Sequence, residues 1–327
     1  MLTATAAAGP RLEITWPTPN TAWLEGRPAA EYLQPTVSGE VASGGFGCVR
    51  NDGFQFHEGV DLKPVARDAR GEPRDKVFAV LPGVVRYINT SAGDSSYGRY
   101  IVIEHTGVEP SVLTLYAHLR SPAPGLRVGA GVERGQVIAI MGHSAGGYAI
   151  PRERAHLHFE IGVWVTRDFQ AWYDRKRFGS PNEHGIWNGM NIIGLDPLDF
   201  YNHFRTRAVN DFQEYFNQLA AAARVRVVTR RTPDFIRRYP ALLRQSMPAG
   251  AIGGWEIDFT WFGLPFAWRP LTAMDTAGRK DGEVSVVTAD RTAIARYRAK
   301  VLVRPRGAGY AVGKDLDMVL EQLFGLK

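Results

Sequence analysis

Short apolar runs separated by glycine and polar turns dominate the chain from about residue 37 to residue 165. The runs are rich in β-branched and aromatic residues and are bounded by turn residues, a pattern typical of strands. They cover residues 77–80, 84–88, 100–104, 113–116, 136–141 and 156–165. Because no helical pattern separates them, we predict a mainly β fold with an antiparallel sheet rather than βαβ units.

The pattern changes after residue 204, where apolar positions at helical spacing alternate with further strand-like runs. We expect helices over residues 205–223, from residue 232 and over 315–324, with strands at 255–261, 284–288 and 299–303. Residues 167–187 are expected to form an insertion or surface excursion. Three regions follow from these patterns: an irregular lead-in (1–36), an antiparallel β domain (37–204) and a smaller α+β domain of unknown role (205–327).

The composition is that of a soluble globular protein, with 45% hydrophobic and 22% charged residues among 327. The formal net charge of +6 favours anionic partners such as nucleic acid, anionic polymers or membrane surfaces, without choosing among them. Nucleic acid is not expected, because the basic residues are scattered and no nucleic-acid module is recognisable. No apolar run reaches the roughly 20 residues that span a bilayer, so no transmembrane segment is expected. Residues 1–10 are a poor secretion signal, although their small residues suit the trimmed end of one.

The single cysteine, Cys48, excludes an internal disulfide framework and a cysteine-based zinc site. We expect it to be a small buried hydrophobe. The aromatic residues between 255 and 268 are expected in the core of the C-terminal region. The other histidines are expected to be structural or exposed at the surface, and they are His105, His143, His184 and His203.

Two histidines lie two residues apart in the last predicted strand of the β domain. On a strand, His156 and His158 point to the same side, whereas Leu157 and its alternating neighbours face the core. Glu160 continues the polar face and could orient a ligand, although a salt-bridged glutamate is an equally good interpretation. His118 ends another strand, and alternation puts it on the same face as Tyr116.

Residues 57–61 add a histidine and an aspartate four positions apart, His57 and Asp61. That pair alone is common and carries little weight. Taken together, however, the segments offer two imidazoles and a carboxylate for a metal, with two imidazoles left for proton transfer. A catalytic zinc requires three nitrogen or oxygen ligands and an open fourth position, so this set predicts one zinc site.

These segments resemble the lysostaphin-type M23 zinc metallopeptidases, or LytM family. The likeness includes His-x-Gly-x-Asp, Leu-Tyr-Ala-His-Leu and His-Leu-His-Phe-Glu, in that order, and it extends over about residues 37–204. The remaining matching segments are residues 45–50, 79–85, 97–105, 132–138 and 196–197.

The resemblance implies an endopeptidase on an antiparallel β fold, which cuts peptidoglycan cross-bridges or stem peptides in the cell envelope or outside the cell. It implies that His57, Asp61 and His158 bind one Zn²⁺ per chain, and that His118 and His156 are the catalytic pair. Which of the two is the base stays open.

The sequence departs from the family in segments expected to border the groove. Residues 142–155 are long and charged, residues 67–76 are expanded, and residues 51–56 contain no tyrosine. These departures bear on the preferred peptide more than on the chemistry.

Two alternatives remain. Residues 142–146, Gly-His-Ser-Ala-Gly, fit a nucleophile elbow with Ser144 as the nucleophile of a serine hydrolase, but no helix pattern follows. A non-catalytic, wall-binding or regulatory module of the same fold is the other alternative.

Overall fold

A computed structural model describes residues 11–326. The segment 1–10, with its cleavage-like small residues, lies outside the described residues. Residues 11–36 contain little regular structure and pack through tryptophans: Trp16 stacks on Trp23 with ring centroids 4.9 Å apart, and both contact Tyr201 edge-on.

The strands of the N-terminal 195 residues are β1 Gly47–Arg50, β2 Gln55–His57, β3 Val60–Leu62, β4 Lys76–Phe78, β5 Gly83–Asn89, β6 Tyr100–His105, β7 Val112–Ala117, β8 Leu119–Pro122, β9 Gly131–Val132, β10 Val137–Met141, β11 Leu157–Trp164 and β12 Ile192–Leu195. The remaining strands are β13 Ala223–Val228, β14 Ile252–Phe259, β15 Pro265–Thr272, β16 Val284–Ala289, β17 Val303–Arg306 and β18 Gly309–Val312. The helices are α1 Phe169–Lys176, α2 Pro197–Arg205, α3 Phe212–Gln218, α4 Asp234–Arg238, α5 Arg291–Arg296 and α6 Lys314–Phe324.

A seven-stranded antiparallel sheet forms the centre of the N-terminal half. Its order is β12-β11-β7-β6-β5-β9, and β3 also pairs with β11. A three-stranded sheet, β4-β10-β8, and the hairpin β1-β2 lie beside it. The predicted mainly β, antiparallel fold is confirmed.

Both faces of the large sheet are covered, which explains why β11 is buried along its whole length. Leu157, Phe159 and Ile161 belong to the main apolar core, as their alternation predicts. A smaller cluster around Tyr100 and Trp164 covers the opposite face.

That smaller cluster involves the predicted surface excursion, so the prediction for residues 167–187 is only partly right. Ile186 and Trp187 pack on the sheet, and α1 buries Phe169 and Trp172. The indole N–H of Trp172 donates to Glu321 on α6, 3.0 Å away. An amphipathic stretch that looks peripheral in sequence therefore finds tertiary partners.

The helix predicted over residues 205–223 is wrong at both ends. The chain has α2 before this stretch and α3 inside it, and it turns extended at Leu219, so that β13 begins at Ala223. The alanine run supplies helix propensity, but pairing of β13 with β14 and β16 overrides it. The sequence patterns also missed β15, β18 and α5.

The C-terminal part is a four-stranded sheet, β15-β14-β13-β16, with the hairpin β17-β18 and α6. Trp255 and Trp268 are fully buried there, as expected for core residues. Apolar contacts run without interruption from the large sheet into this region. The boundaries at 36/37 and 204/205 stay predictions.

Within the described residues, no helix combines the length and the apolar character that crossing a bilayer requires.

Candidate metal centre

The site is built around the first residues of β11, where this strand pairs with both β3 and β7. In the antiparallel register, His158 lies opposite Asp61 on β3 and opposite Ala117 on β7. The hairpin β1-β2 ends at His57, four residues before Asp61. Strand pairing thus brings together residues about 100 positions apart in the chain.

Three ligand-type atoms form a nearly equilateral triangle. His57 Nε2 is 3.1 Å from Asp61 Oδ1 and 3.0 Å from His158 Nδ1, and the last two atoms are 3.0 Å apart. Nitrogen and oxygen ligands around a tetrahedral zinc lie about 3.3–3.6 Å from one another, from bond lengths of about 2.0–2.2 Å. The three buried side chains therefore fit a metal ion with an adjustment of a few tenths of an ångström.

The two other predicted site histidines lie beside this triangle. The rings of His118 and His156 have centroids 4.8 Å apart, and His118 is 5.8 Å from the ring of His158. His156 Nε2 is 3.6 Å from Asp61 Oδ1. All five side chains singled out in the sequence are thus close together, while their individual roles stay predictions.

His118 reaches the site by a backbone device that strand alternation did not anticipate. Tyr116 lies next to Phe159 across the strands and belongs to the main core, so the predicted shared face of Tyr116 and His118 is wrong. His118 follows the last residue of β7 with φ +58°, a left-handed conformation uncommon outside glycine. That turn directs its side chain to the face of His158.

Each of the four imidazoles has one ring nitrogen held by an oxygen acceptor. His57 Nδ1–H donates to the carbonyl oxygen of Gly45 at 2.6 Å, and His158 Nε2–H donates to Glu160 at 2.8 Å. The Nδ1–H groups of His118 and His156 donate to the carbonyl oxygens of Ser144 at 2.8 Å and Arg154 at 2.7 Å. This arrangement directs the other nitrogen of each ring into the site, a common support for metal-binding and catalytic histidines.

Three further side chains, Glu160, Tyr97 and Arg50, support the ligands through contacts that the sequence did not predict. Glu160, only 1% exposed, accepts from His158 and also from the hydroxyl of Tyr97 at 2.6 Å. The Arg50 guanidinium donates to Asp61 Oδ2 at 2.5 Å, which leaves Asp61 Oδ1 facing the two imidazoles. Arg50 and Tyr97 occur in the motifs quoted above, and Glu160 matches the orienting role considered for it.

The buried carboxylates of Asp61 and Glu160 give the ligand triangle an environment that favours positive charge. Burial alone would raise the pKa of Asp61, but the nearby His57 and His156 and the hydrogen bond from His158 hold it well below its ordinary range. Burial alone would lower the pKa of His158, yet its bonds to Asp61 and Glu160 raise it to about 9. Two buried carboxylates thus stabilise a cation at the ligand triangle.

Burial has the opposite consequence for the two flanking histidines. It lowers the pKa of His156, and it is also the main reason why the pKa of His118 lies well below its ordinary value, with repulsion between protonated imidazoles of the cluster acting in the same direction. Both rings are therefore neutral at neutral pH, with Nε2 available as a proton acceptor.

The site opens into a groove of about 320 Å³. One side is lined by residues 35–37 and another by residues 148–151 and Arg154, together with Arg50, Asp61 and three of the histidines. The long, charged segment singled out in the sequence therefore borders the groove.

Ser144 has no catalytic geometry. Its hydroxyl donates to the carbonyl oxygen of Leu119 at 2.8 Å and accepts from the N–H of Arg99 at 2.9 Å. Among the hydrogen bonds of the described residues, none joins this hydroxyl to a histidine ring. Ser144 instead supports His118 through its carbonyl group.

The remaining histidines have structural partners. His105 is fully buried between the carbonyl oxygen of Pro82 and Thr114, and His184 bonds to Tyr87. Cys48 is only partly buried, so the expectation of a buried residue is not met.

Residues 55–169, about a third of the chain, match the sequence profile of peptidase family M23. The match contains all five histidine and aspartate side chains of the site. This segment is an M23 peptidase domain. The resemblance noted from the sequence motifs is thereby confirmed. No curated protein sequence matches the chain.

Several solved structures resemble parts of the chain. A putative glycyl-glycine endopeptidase lytM from Ruminococcus gnavus is 25% identical, over 33% of this chain and 39% of that one, with a TM-score of 0.25. A zinc-containing peptidase from Vibrio cholerae is 25% identical, over 46% of this chain and 33% of that one, also with a TM-score of 0.25. The catalytic domain of lysostaphin from Staphylococcus simulans is 21% identical, over 49% and 87%, with a TM-score of 0.29.

The chain spans well under two thirds of the length of the first two of these proteins. The M23 assignment therefore rests on the profile match, and it applies to residues 55–169.

Proposed function

We propose that the M23 domain is a zinc-dependent endopeptidase that hydrolyses peptide bonds in peptidoglycan cross-bridges or stem peptides. One zinc ion per chain would be held by His57, Asp61 and His158. The observation that supports this most directly is the triangle of ligand atoms with sides of 3.0–3.1 Å, next to two imidazoles whose Nδ1 atoms bond to backbone carbonyls and whose Nε2 atoms have no backbone partner within residues 11–326. Such a set has the ligand number and type of a catalytic zinc site.

Zinc bound there would supply Lewis acidity, which lowers the pKa of water and polarises a peptide carbonyl. The protein's own residues do the rest. His156, held through Nδ1 by the Arg154 carbonyl, accepts the proton from the water that attacks the scissile carbonyl. His118, fixed through Nδ1 by Ser144, stabilises the developing oxyanion or protonates the leaving amine.

Charged and polar side chains around the ligands assist these steps. Arg50 and the imidazoles orient Asp61, and Glu160 fixes the ring of His158, so the ligands need little reorganisation.

We place the activity in the cell envelope or outside the cell, where peptidoglycan is found. The net charge of +6 would favour retention on an anionic wall polymer.

The test separates metal binding from turnover. Purified wall sacculi are incubated with the protein, with and without chelator, and released fragments are identified by mass spectrometry while bound zinc is measured. We expect His57→Ala and His158→Ala to lose zinc and fragment release together. His118→Ala should retain zinc and lose fragment release, and His203→Ala, at a partly exposed position on α2 that does not line the groove, is the matched control.

The outcomes distinguish the alternatives. Full release by all three site variants would refute the zinc mechanism. Inhibition by a covalent serine reagent but not by chelator would favour hydrolysis by Ser144. Zinc binding by the wild-type protein without any release of fragments would indicate a non-catalytic module.

A further inference from the structure

The groove above the ligand triangle carries an unbalanced positive charge. Asp61 is the one carboxylate among the described residues that line it, and Asp61 faces the metal ligands and Arg50. Arg154 also lines the groove. Within residues 11–326 its guanidinium has no hydrogen-bonded or ion-paired partner, although it is only partly exposed.

Arg154 is held in place by its backbone. It ends the 3₁₀ turn Arg152–Arg154, and its carbonyl oxygen accepts from His156. Its side chain therefore starts two residues from an imidazole of the site. Because Arg154 and His156 line the same groove, a substrate bound there lies beside both side chains.

The turn itself is held by residues of the other expanded segment, 67–76. The Arg67 guanidinium donates to the carbonyl oxygens of Arg152 at 2.7 Å and Glu153 at 3.1 Å. Arg152 in turn pairs with Glu72 at 2.7 Å and donates to the carbonyl oxygen of Arg70 at 2.8 Å. Two departures from the family pattern, far apart in sequence, thus form one rigid wall that carries Arg154.

We propose that Arg154 binds a free carboxylate of the substrate, next to the scissile bond. This inference rests on the proposed function and narrows it: the preferred substrates are peptides with a free carboxyl group, as in stem peptides, rather than uncharged glycine bridges. Arginine suits this role because its planar guanidinium can hold a carboxylate through two parallel hydrogen bonds.

The test uses one synthetic stem peptide in two forms, with its carboxyl groups free or amidated. Binding of each form is measured by calorimetry with zinc-loaded wild-type protein, Arg154→Gln, Arg154→Lys and Arg127→Gln. Arg127 is an exposed arginine that does not line the groove, so it is the control for a loss of one charge. Melting curves check that the variants are folded, and cleavage of both peptides is followed in parallel.

We expect the wild type to bind the acid form about tenfold to a hundredfold more tightly than the amide, as for a hydrogen-bonded charged pair. Arg154→Gln should lose this preference without changing amide binding, Arg154→Lys should keep part of it, and Arg127→Gln should keep all of it. Equal binding of both forms by the wild type, or an unchanged preference in Arg154→Gln, would overturn the inference. An intact preference without any cleavage would support carboxylate binding and contradict the proposed hydrolysis instead.

Discussion

Replacing Glu160 by glutamine tests whether the buried carboxylate behind His158 tunes the metal centre. The substitution keeps the shape of the side chain and removes its charge. Both partners, His158 Nε2–H at 2.8 Å and the Tyr97 hydroxyl at 2.6 Å, donate to the same oxygen, Oε1. A glutamine can present an oxygen at that position, so both hydrogen bonds can survive as neutral ones.

The expected loss is the difference between a charge-assisted and a neutral hydrogen bond. Hydrogen bonds to charged groups contribute about 1.5–3 kcal/mol and neutral ones about 0.5–1.5 kcal/mol. The difference of about 1–2 kcal/mol corresponds to a loss of about five- to thirtyfold in zinc affinity, because the less polarised imidazole is a weaker ligand. Solvent screens this interaction only weakly, because Glu160 is 1% exposed.

Zinc affinity would be measured by competition with a chromophoric chelator, with melting curves as a check on folding. Glu104→Gln is the matched control. Glu104 lies on β6 of the same sheet and bonds to Arg86 and Trp164, away from the site. If folded Glu160→Gln bound zinc as tightly as the wild type, Glu160 would not act through His158.

Two further predictions concern the supports of the fold and the site. Burial lowers the pKa of His105 to about 4, so its stabilising contribution is complete above about pH 6.5 and is lost as the pH falls towards 4. In urea titrations, the free energy of unfolding of His105→Gln should therefore fall by up to about 3 kcal/mol less than that of the wild type between these pH values. An equal decrease in both proteins would contradict this prediction. Gly98 has φ +61°, and a Cβ there would lie 2.2 Å from the carbonyl oxygen of Ser144 that holds His118. Gly98→Ala should therefore reduce kcat on wall fragments about tenfold or more while zinc stays bound. Gly107→Ala, which has open space around its new Cβ, should leave kcat unchanged. Equal rates for the two variants would show that the position of the Ser144 carbonyl is unimportant.

Local patterns in the sequence were sufficient for four of the seven strands of the large sheet, β5, β6, β7 and β11, and for the candidate site residues, but they missed the short strands β3, β9 and β12. The alternation around residues 156–161 correctly separates a core face from a polar face, because side chains on a strand alternate by geometry alone. The five side chains near the ligand triangle were identifiable because imidazoles and carboxylates are scarce, chemically distinct groups.

Patterns failed where a local preference competes with distant partners. The alanine-rich stretch before β13 has helix propensity, but the strands that pair with β13 come from residues more than 20 positions later. The side of the sheet on which His118 lies depends on its left-handed backbone conformation, and a histidine in the sequence does not predict that conformation.

Residue types alone were enough to recognise the chemistry available to this protein, four imidazoles and two carboxylates. Tertiary structure decided how that chemistry is held. The carbonyl groups of Gly45, Ser144 and Arg154 orient three of the rings, and every residue has such a group, so no residue type signals it. Only the folded chain determines which backbone oxygen faces which ring, because the contacts join segments that are brought together by strand pairing and by the clamped wall of the groove.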